Sequence, residues 1–381
     1  MKNIKRQHWI TVSLLCVLLA SCTRERGASA PEAAHRDLPS ILLVTLDTTR
    51  FDAIGPLASG GTHTPAYNAL AAEGRQFLQA YSTAPETLPS HSSMMTGLYP
   101  AAHGVHENAR FLDGSKVLVA ELLKKSGYDT AAFISGFPLE HRFGLSRGFD
   151  LYDDELGGGV ERTAKETTDH AVTWLAGHGS RPSFLWVHYF DAHAPYEPPS
   201  PFREQFAKNP YLGEVAAVDQ QLGRLLDAFR RESRRAQVII VVADHGESLG
   251  EHGEKQHGHL LYQAVMHVPL LLVGPGVPAG TAARPVSTRR IYDTILDFAG
   301  IRSPNTLRND LQEVVLGEGM IPYLQYGWQP QVMAVDGQRK AILAGRLEIY
   351  DLGADPAEAH DLGAGTGITR PMREALRQYP V

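Results

Sequence analysis

The amino-acid sequence predicts a doubly wound α/β fold: a mostly parallel sheet flanked by helices, followed by a small C-terminal α+β subdomain. Three observations carry that prediction. Continuous apolar runs rich in β-branched residues recur at 40–46, 130–134, 184–187, 238–243 and 268–273, as in strands buried on both faces. Helical patterns separate several of these runs, and that alternation builds parallel sheets. Asp47, Asp191 and Asp244 each lie just past such a run. Open α/β sheets bind ligands outside the carboxyl ends of their strands, so three distant segments are expected to converge on one crevice.

Taken in order, residues 40–46 form a first strand that stops abruptly at Asp47. Residues 117–125 read as a helix closed by Gly127, and 163–175 as another. The clearest helix covers 212–231, where Val215, Val218, Leu222, Leu225, Leu226 and Phe229 form one apolar stripe opposite a charged face. Its role is to cover the sheet. After Gly300 the pattern weakens, and 332–335 and 340–343 read as strands of a C-terminal layer. The boundary falls near Pro322, giving a main domain over 40–322 and a subdomain over 323–381.

A chain of 381 residues suits one large α/β unit with a minor appendage. With 36 Lys+Arg against 42 Asp+Glu, a net charge of -6, there is no basic surface of the kind a nucleic-acid partner favours. The 24 prolines and 36 glycines are dispersed, so they read as turn punctuation.

At the N-terminus, Lys2, Lys5 and Arg6 precede an apolar stretch over 10–19 that is too short to span a bilayer comfortably. Leu19, Ala20, Ser21 and Cys22 resemble the lipobox of bacterial lipoproteins. The expectation is a signal peptide over 1–21, a lipid-bearing Cys22, and a flexible tether over 22–39. The protein would then be held by its N-terminal lipid, with the outer membrane facing the periplasm as the expected address. Cys16 is the only other cysteine and falls in the removed segment, so no disulfide is expected in the mature chain.

The run 238–243 feeds directly into Asp244, His245, Gly246 and Glu247, placing a carboxylate and an imidazole at a strand end. Such a pair fits half a metal site, and it fits a turn equally well. Thr87, Leu88, Pro89, Ser90 and His91 sit at a helix start; a hydroxyl there can meet an anion or simply cap the helix.

The order of these segments resembles the sulfatase family of the alkaline phosphatase superfamily. The resemblance runs from residues 43–50 through Thr64-Pro65, Gly74, 81–100, His103-Gly104-Val105, Gly127-Tyr128, Gly148-Phe149-Asp150, 243–251, 257–262 and Val268-Pro269-Leu270 to a closing segment at 348–352 and Asp355-Pro356. It implies an alkaline-phosphatase-like fold. It implies an ester hydrolase in which Thr87 is the nucleophile and completes a divalent-metal site with Asp47, Asp244 and His245. Phosphodiesterase-like relatives hold a second metal, for which Asp191, His193 and His257 are the matching candidates. By the same resemblance Asn108 donates to a nonbridging ester oxygen, and His193 has an alternative role in contacting substrate. His188, His252 and His267 read as loop or core histidines.

The sulfatase signature is Cys or Ser, any residue, Pro, any residue, Arg, and its first residue becomes formylglycine. Here Thr87 and His91 occupy both key positions, with His91 taking the substrate-facing place of the arginine. Threonine carries a β-methyl and cannot give that aldehyde by the usual route. Asp244-His245 stands where calcium-type sulfatases have Asp-Asn, and imidazole moves preference from calcium toward zinc or manganese. One or two such ions are expected. The implied substrate is a small-molecule, glycan-linked or lipid-linked sulfate or phosphate ester, with phosphodiester-type substrates favoured. A phosphoethanolamine-type transferase and a non-catalytic metal-containing binding protein are the alternatives.

Overall fold

Every residue of Ser40–Leu46 is buried, and the segment becomes the central strand of an eight-stranded sheet. The computed structural model describes residues 38–59 and 63–377. The signal segment, Cys22 and the tether up to residue 37 lie outside the described residues. Among those described, the strands are β1 (Ser40–Leu46), β2 (Arg75–Phe77), β3 (Ala80–Tyr81), β4 (Asp129–Phe133), β5 (Leu151–Asp153), β6 (Ser183–Tyr189), β7 (Gln237–Ala243), β8 (His267–Val268), β9 (Leu270–Val273), β10 (Gly280–Ala282), β11 (Val286–Ser287), β12 (Val315–Gly319), β13 (Gln331–Asp336), β14 (Arg339–Leu343) and β15 (Leu347–Asp351). The large sheet has the order β10-β2-β9-β7-β1-β6-β4-β5.

The doubly wound prediction holds. From β7 to β5 every pairing is parallel, and helices Ala164–His178 and Pro210–Glu232 pack against each other beside it. Thr163 starts the first of these with a reciprocal cap: its hydroxyl accepts from Glu166 N and the Glu166 carboxylate accepts from Thr163 N. In the second, Pro210 occupies the first turn, where its missing N–H costs nothing, and the stripe from Val215 to Phe229 is buried as predicted. Among the described residues no helix is long and apolar enough to cross a membrane.

Register, more than any loop, positions the site. Leu46 pairs with Tyr189 on β6 and with Ala243 on β7, so three parallel strands end level. Asp47 N then donates to Tyr189 O at 2.8 Å and Asp244 N to Leu46 O at 3.2 Å, carrying the ladder one residue further. The two carboxylates therefore leave adjacent strands side by side.

Two boundaries differ from the sequence reading. The run 268–273 is not one parallel strand: Pro269 has no N–H to give a ladder, so the run splits into β8 and β9, and β9 pairs antiparallel with β7 and β2. The C-terminal sheet, order β12-β13-β14-β15, begins at Val315, upstream of the expected boundary at Pro322. Gly317 and Gly319 weaken the strand signal of β12. A Cβ on Gly317 would lie 2.8 Å from Met333 Cε and 2.9 Å from Met266 Cε, so a side chain there would displace the ends of both methionines. Helix Arg370–Leu376 covers β13 through Met372 and Leu376, completing the α+β subdomain.

Candidate active site

Asp47, Asp244 and His245 offer ligand atoms that all lie within 4.8 Å of one another, and all three side chains are buried. The chain bends sharply to achieve this. Thr48 takes φ +49, a left-handed conformation costly for a β-branched residue, at about 1–3 kcal/mol. Tyr211 holds the bend: its hydroxyl donates to Thr48 O and accepts from Arg50 N, both at 2.9 Å. Arg50 reaches onward from its Nη1 to Glu247 O at 3.0 Å, tying the end of β1 to the loop after β7.

Thr87 opens helix Thr87–Thr96, a helix buried on all sides, and donates from Oγ1 to Asp47 Oδ2 at 3.3 Å. A helix with so many hydroxyls tolerates full burial because most of them, though not Ser92 Oγ, are paired. Ser90 Oγ donates to Asp244 O at 2.7 Å, and Ser93 joins Thr83 and His103. The first of these bonds fixes the backbone of Asp244 relative to Thr87.

The group is electrostatically incomplete. Asp47 Oδ1, Asp244 Oδ2 and His245 Nε2 are buried without a hydrogen-bond partner. Burial, then the nearby Asp47 charge, holds the Asp244 carboxyl well above the usual range. At Asp47 burial works in the same upward sense, but the fields and hydrogen bond of His188 and His245 outweigh it and lower the carboxyl. His245 Nδ1 donates to Gly246 O at 2.9 Å, which leaves the Nε2 lone pair inward, and burial lowers its pKa to about 3. Two carboxylates and an oriented neutral imidazole, all dry and unsatisfied, form a donor set that fits a divalent cation.

The other expected residues are distributed differently. His91 is fully buried beneath Thr87 and gives Nδ1–H to Thr87 O at 2.7 Å; burial lowers its pKa well below the ordinary value. It braces the helix one turn below the hydroxyl and does not stand in for a cationic arginine. Asn108 accepts from Leu88 N at 2.9 Å through Oδ1, and its backbone N–H donates to Glu86 Oε1 at 3.0 Å, which ties its loop to the start of the Thr87 helix.

Asp191, His193 and His257 do not close into a second group like the first. Asp191 accepts from Ala164 N at the start of the helix Ala164–His178, and burial pushes its carboxyl up to about 6. His193 Nδ1 donates to Ala194 O at 2.7 Å. His257 is instead held by Glu247, Nδ1 to Oε1 at 2.9 Å, and its ring lies 4.4 Å from that of His245 and 5.1 Å from that of His193. The three imidazoles form a row along one side of the site.

Sequence reasoning missed three residues. His188 is no loop or satisfied core histidine: it is wholly buried on β6, pairs in register with Thr45, and brings Nε2 to 3.5 Å from Asp47 Oδ2. A histidine inside an otherwise apolar strand was the available signal. Glu247, fully buried, accepts from Tyr196 OH at 2.9 Å as well as holding His257. Glu86 precedes the Thr87 helix without a side-chain capping bond, its carboxylate accepts from Asn108 N at 3.0 Å, and burial pushes that carboxyl up to about 7.

The sulfatase family model matches residues 39–301, and the chain belongs to that family. It is a sulfatase-like ester hydrolase. A sulfatase of Formosa agariphila is 25% identical over 91% of this chain and 86% of its own length. Arylsulfatase K of Bos taurus is 25% identical over 78% of this chain and 70% of its own. Among solved structures, the putative sulfatase yidJ from Bacteroides fragilis superposes with a TM-score of 0.75 at 17% identity, covering 92% of this chain and 98% of its own. The phosphonate monoester hydrolase of Agrobacterium radiobacter does so with 0.72 at 19%, covering 89% and 94%. These neighbours share the alkaline-phosphatase-like architecture described above.

Proposed function

We propose that the protein hydrolyses sulfate or phosphate/phosphonate esters with Thr87 Oγ1 as the nucleophile, and that phosphodiester-type substrates turn over ahead of sulfate esters. One observation carries this reading: Asp47, Asp244 and His245, each with an unpartnered buried atom, offer ligand atoms within 4.8 Å of one another, and the Thr87 hydroxyl donates to the same Asp47 carboxylate. A divalent cation bound by these three residues and Thr87, zinc or manganese in preference to calcium, supplies charge neutralisation and lowers the cost of ionising the hydroxyl.

The chain's own groups do the rest. Thr87 Oγ1 gives up its proton and attacks sulfur or phosphorus in line; the bond from that atom to the alcohol oxygen breaks, and the departing alkoxide takes a proton from water, so one proton is lost and one gained. The Asn108 amide donates to a nonbridging oxygen, and His193 and His257 border the ester. Water then cleaves the covalent Thr87 ester and restores the hydroxyl. A phosphoryl group can leave threonine by attack at phosphorus, whereas the elimination open to a formylglycine hydrate is closed to it. With His91 buried and neutral, charge neutralisation falls to the cation and not to a fixed guanidinium.

Both chemistries occur on related proteins. One structural neighbour is a phosphonate monoester hydrolase, and another, with a TM-score of 0.74 at 19% identity, was solved with its substrate D-glucosamine-2-N,6-O-disulfate. A small-molecule or glycan-linked ester is therefore the substrate class proposed here. Initial rates on matched aryl sulfate, phosphodiester, phosphate monoester and phosphonate probes test the order; faster turnover of the sulfate would reverse the substrate assignment. Anchoring through lipid on Cys22 at the outer membrane is a further proposal. Fractionation of cells expressing Cys22→Ala tests it, and an unchanged membrane fraction removes it.

A further inference from the structure

Exposed large apolar side chains are not evenly spread over the described surface. Tyr323, Leu324, Tyr326 and Trp328 are 52%, 40%, 54% and 65% exposed and fall in one short stretch. Isolated exposed apolar residues are ordinary, whereas a contiguous set marks a binding surface. The stretch is helix Ile321–Tyr326, which ends at Gly327 with φ +69. That left-handed turn folds the chain back so that Trp328 N donates to Pro322 O at 2.9 Å. The Trp328 ring centroid comes within 5.1 Å of Tyr326.

The plate is continuous with the site. A Cβ on Gly258, the residue after His257, would lie 3.0 Å from Ile321 Cδ1 and 3.9 Å from Glu86 Cγ. Tyr326 stacks over His259 with centroids 6.0 Å apart. Gln325 Nε2 donates to Glu107 Oε2 at 3.4 Å, and Glu107 adjoins Asn108. The aromatic surface is thus joined to the two loops that carry His257 and Asn108. Its edge is polar: Glu107 accepts from Arg110 Nε at 2.7 Å, and His259 is partly open to solvent. A pair of aromatic rings inclined at 31° and fringed by a carboxylate, an amide and a guanidinium matches a sugar ring, which has an apolar C–H face and a rim of hydroxyls. A lipid surface would not call for that fringe.

We propose that Tyr326 and Trp328 form a stacking platform for a sugar ring on the alcohol side of the ester, so that this rim selects the leaving group. The proposal rests on the hydrolase reading above. It is tested with methyl and glucose 6-esters of whichever acid, sulfate or phosphate, wild type hydrolyses faster. Trp328→Ala raises KM for the glucose ester about tenfold and Tyr326→Ala raises it less, while kcat and the methyl-ester KM stay within twofold. An unchanged glucose-ester KM overturns the platform, and so does an equal rise for both esters. Calorimetric binding of the glucose ester to Thr87→Ala protein, with and without Trp328→Ala, separates the two claims. If wild type hydrolyses neither ester, the reading of such monoesters as substrates falls. The platform then stands on tenfold weaker binding after Trp328→Ala and falls on equal binding.

Discussion

Lys340 and Glu358, both fully buried, neutralise each other: Nζ lies 2.8 Å from Oε1, Nζ also donates to Gln263 Oε1, and Glu358 Oε2 accepts from Gln263 N. The carboxylates at the ends of β1 and β7 are equally buried, but among the described residues no lysine or arginine is paired with either; the ionisable side chains of basic type near them are histidines, with ring nitrogens at 3.5 Å and beyond. One cluster carries its own counter-cation within the chain, and the other is a donor set that fits a divalent cation. The difference separates a buried charge that serves the fold from one that serves chemistry, because an ion left unpaired in a dry interior is a cost that stability alone would not retain.

Three perturbations probe that difference, in order of expected size. Lys340→Met strands Glu358 and should cost about 3–5 kcal/mol in denaturant unfolding, with or without metal; replacing both partners by apolar residues should recover most of it. A loss under 1 kcal/mol for the single variant would mean that the pair is not the closed unit described. Asp244→Asn should behave oppositely. Zinc or manganese at a hundredfold excess over its Kd should stabilise wild type by about 2.7 kcal/mol, and the variant should gain none. The metal-free variant should be at least as stable as metal-free wild type, because the repulsion between Asp47 and Asp244 is gone. An equal metal-linked gain in both proteins would dissolve the contrast.

The smallest effect concerns Glu214, whose carboxyl is pushed up to about 8, first by burial and then by the Asp191 charge. A carboxyl raised on folding stays protonated in the native state while the unfolded chain ionises. Its stabilisation is therefore full below pH 4.5 and is lost as pH rises toward about 8. Melting temperatures of metal-free protein across that window should fall less steeply for Glu214→Gln than for wild type. Parallel slopes would show that Glu214 titrates normally.

The floor of the site was more legible in the sequence than its rim. Asp47 and Asp244 follow uninterrupted strand runs, so their place at the sheet edge could be read from pattern alone; that they stand side by side depends on the register of β1 against β7, which no local pattern encodes. Thr87 emerged only through resemblance, since a hydroxyl at a helix start is as often a cap. His188 was lost because a histidine in a strand reads as core, and its partner Thr45 is 143 residues away. Pro269 divided an apparently single strand, and Gly317 with Gly319 hid β12 from the sequence pattern. The plate at Tyr326 and Trp328 gave no signal, because exposure is a property of the packed molecule and not of the residues that carry it.

The most direct measurement is acid quench of wild type during turnover of its fastest ester, followed by peptide mass analysis, alongside metal content and turnover of Thr87→Ala and Thr87→Ser. The account predicts a sulfuryl or phosphoryl group on the peptide carrying Thr87, retained metal with no turnover in Thr87→Ala, and residual activity in Thr87→Ser. Full activity in Thr87→Ala, or an adduct on any other residue, would contradict it.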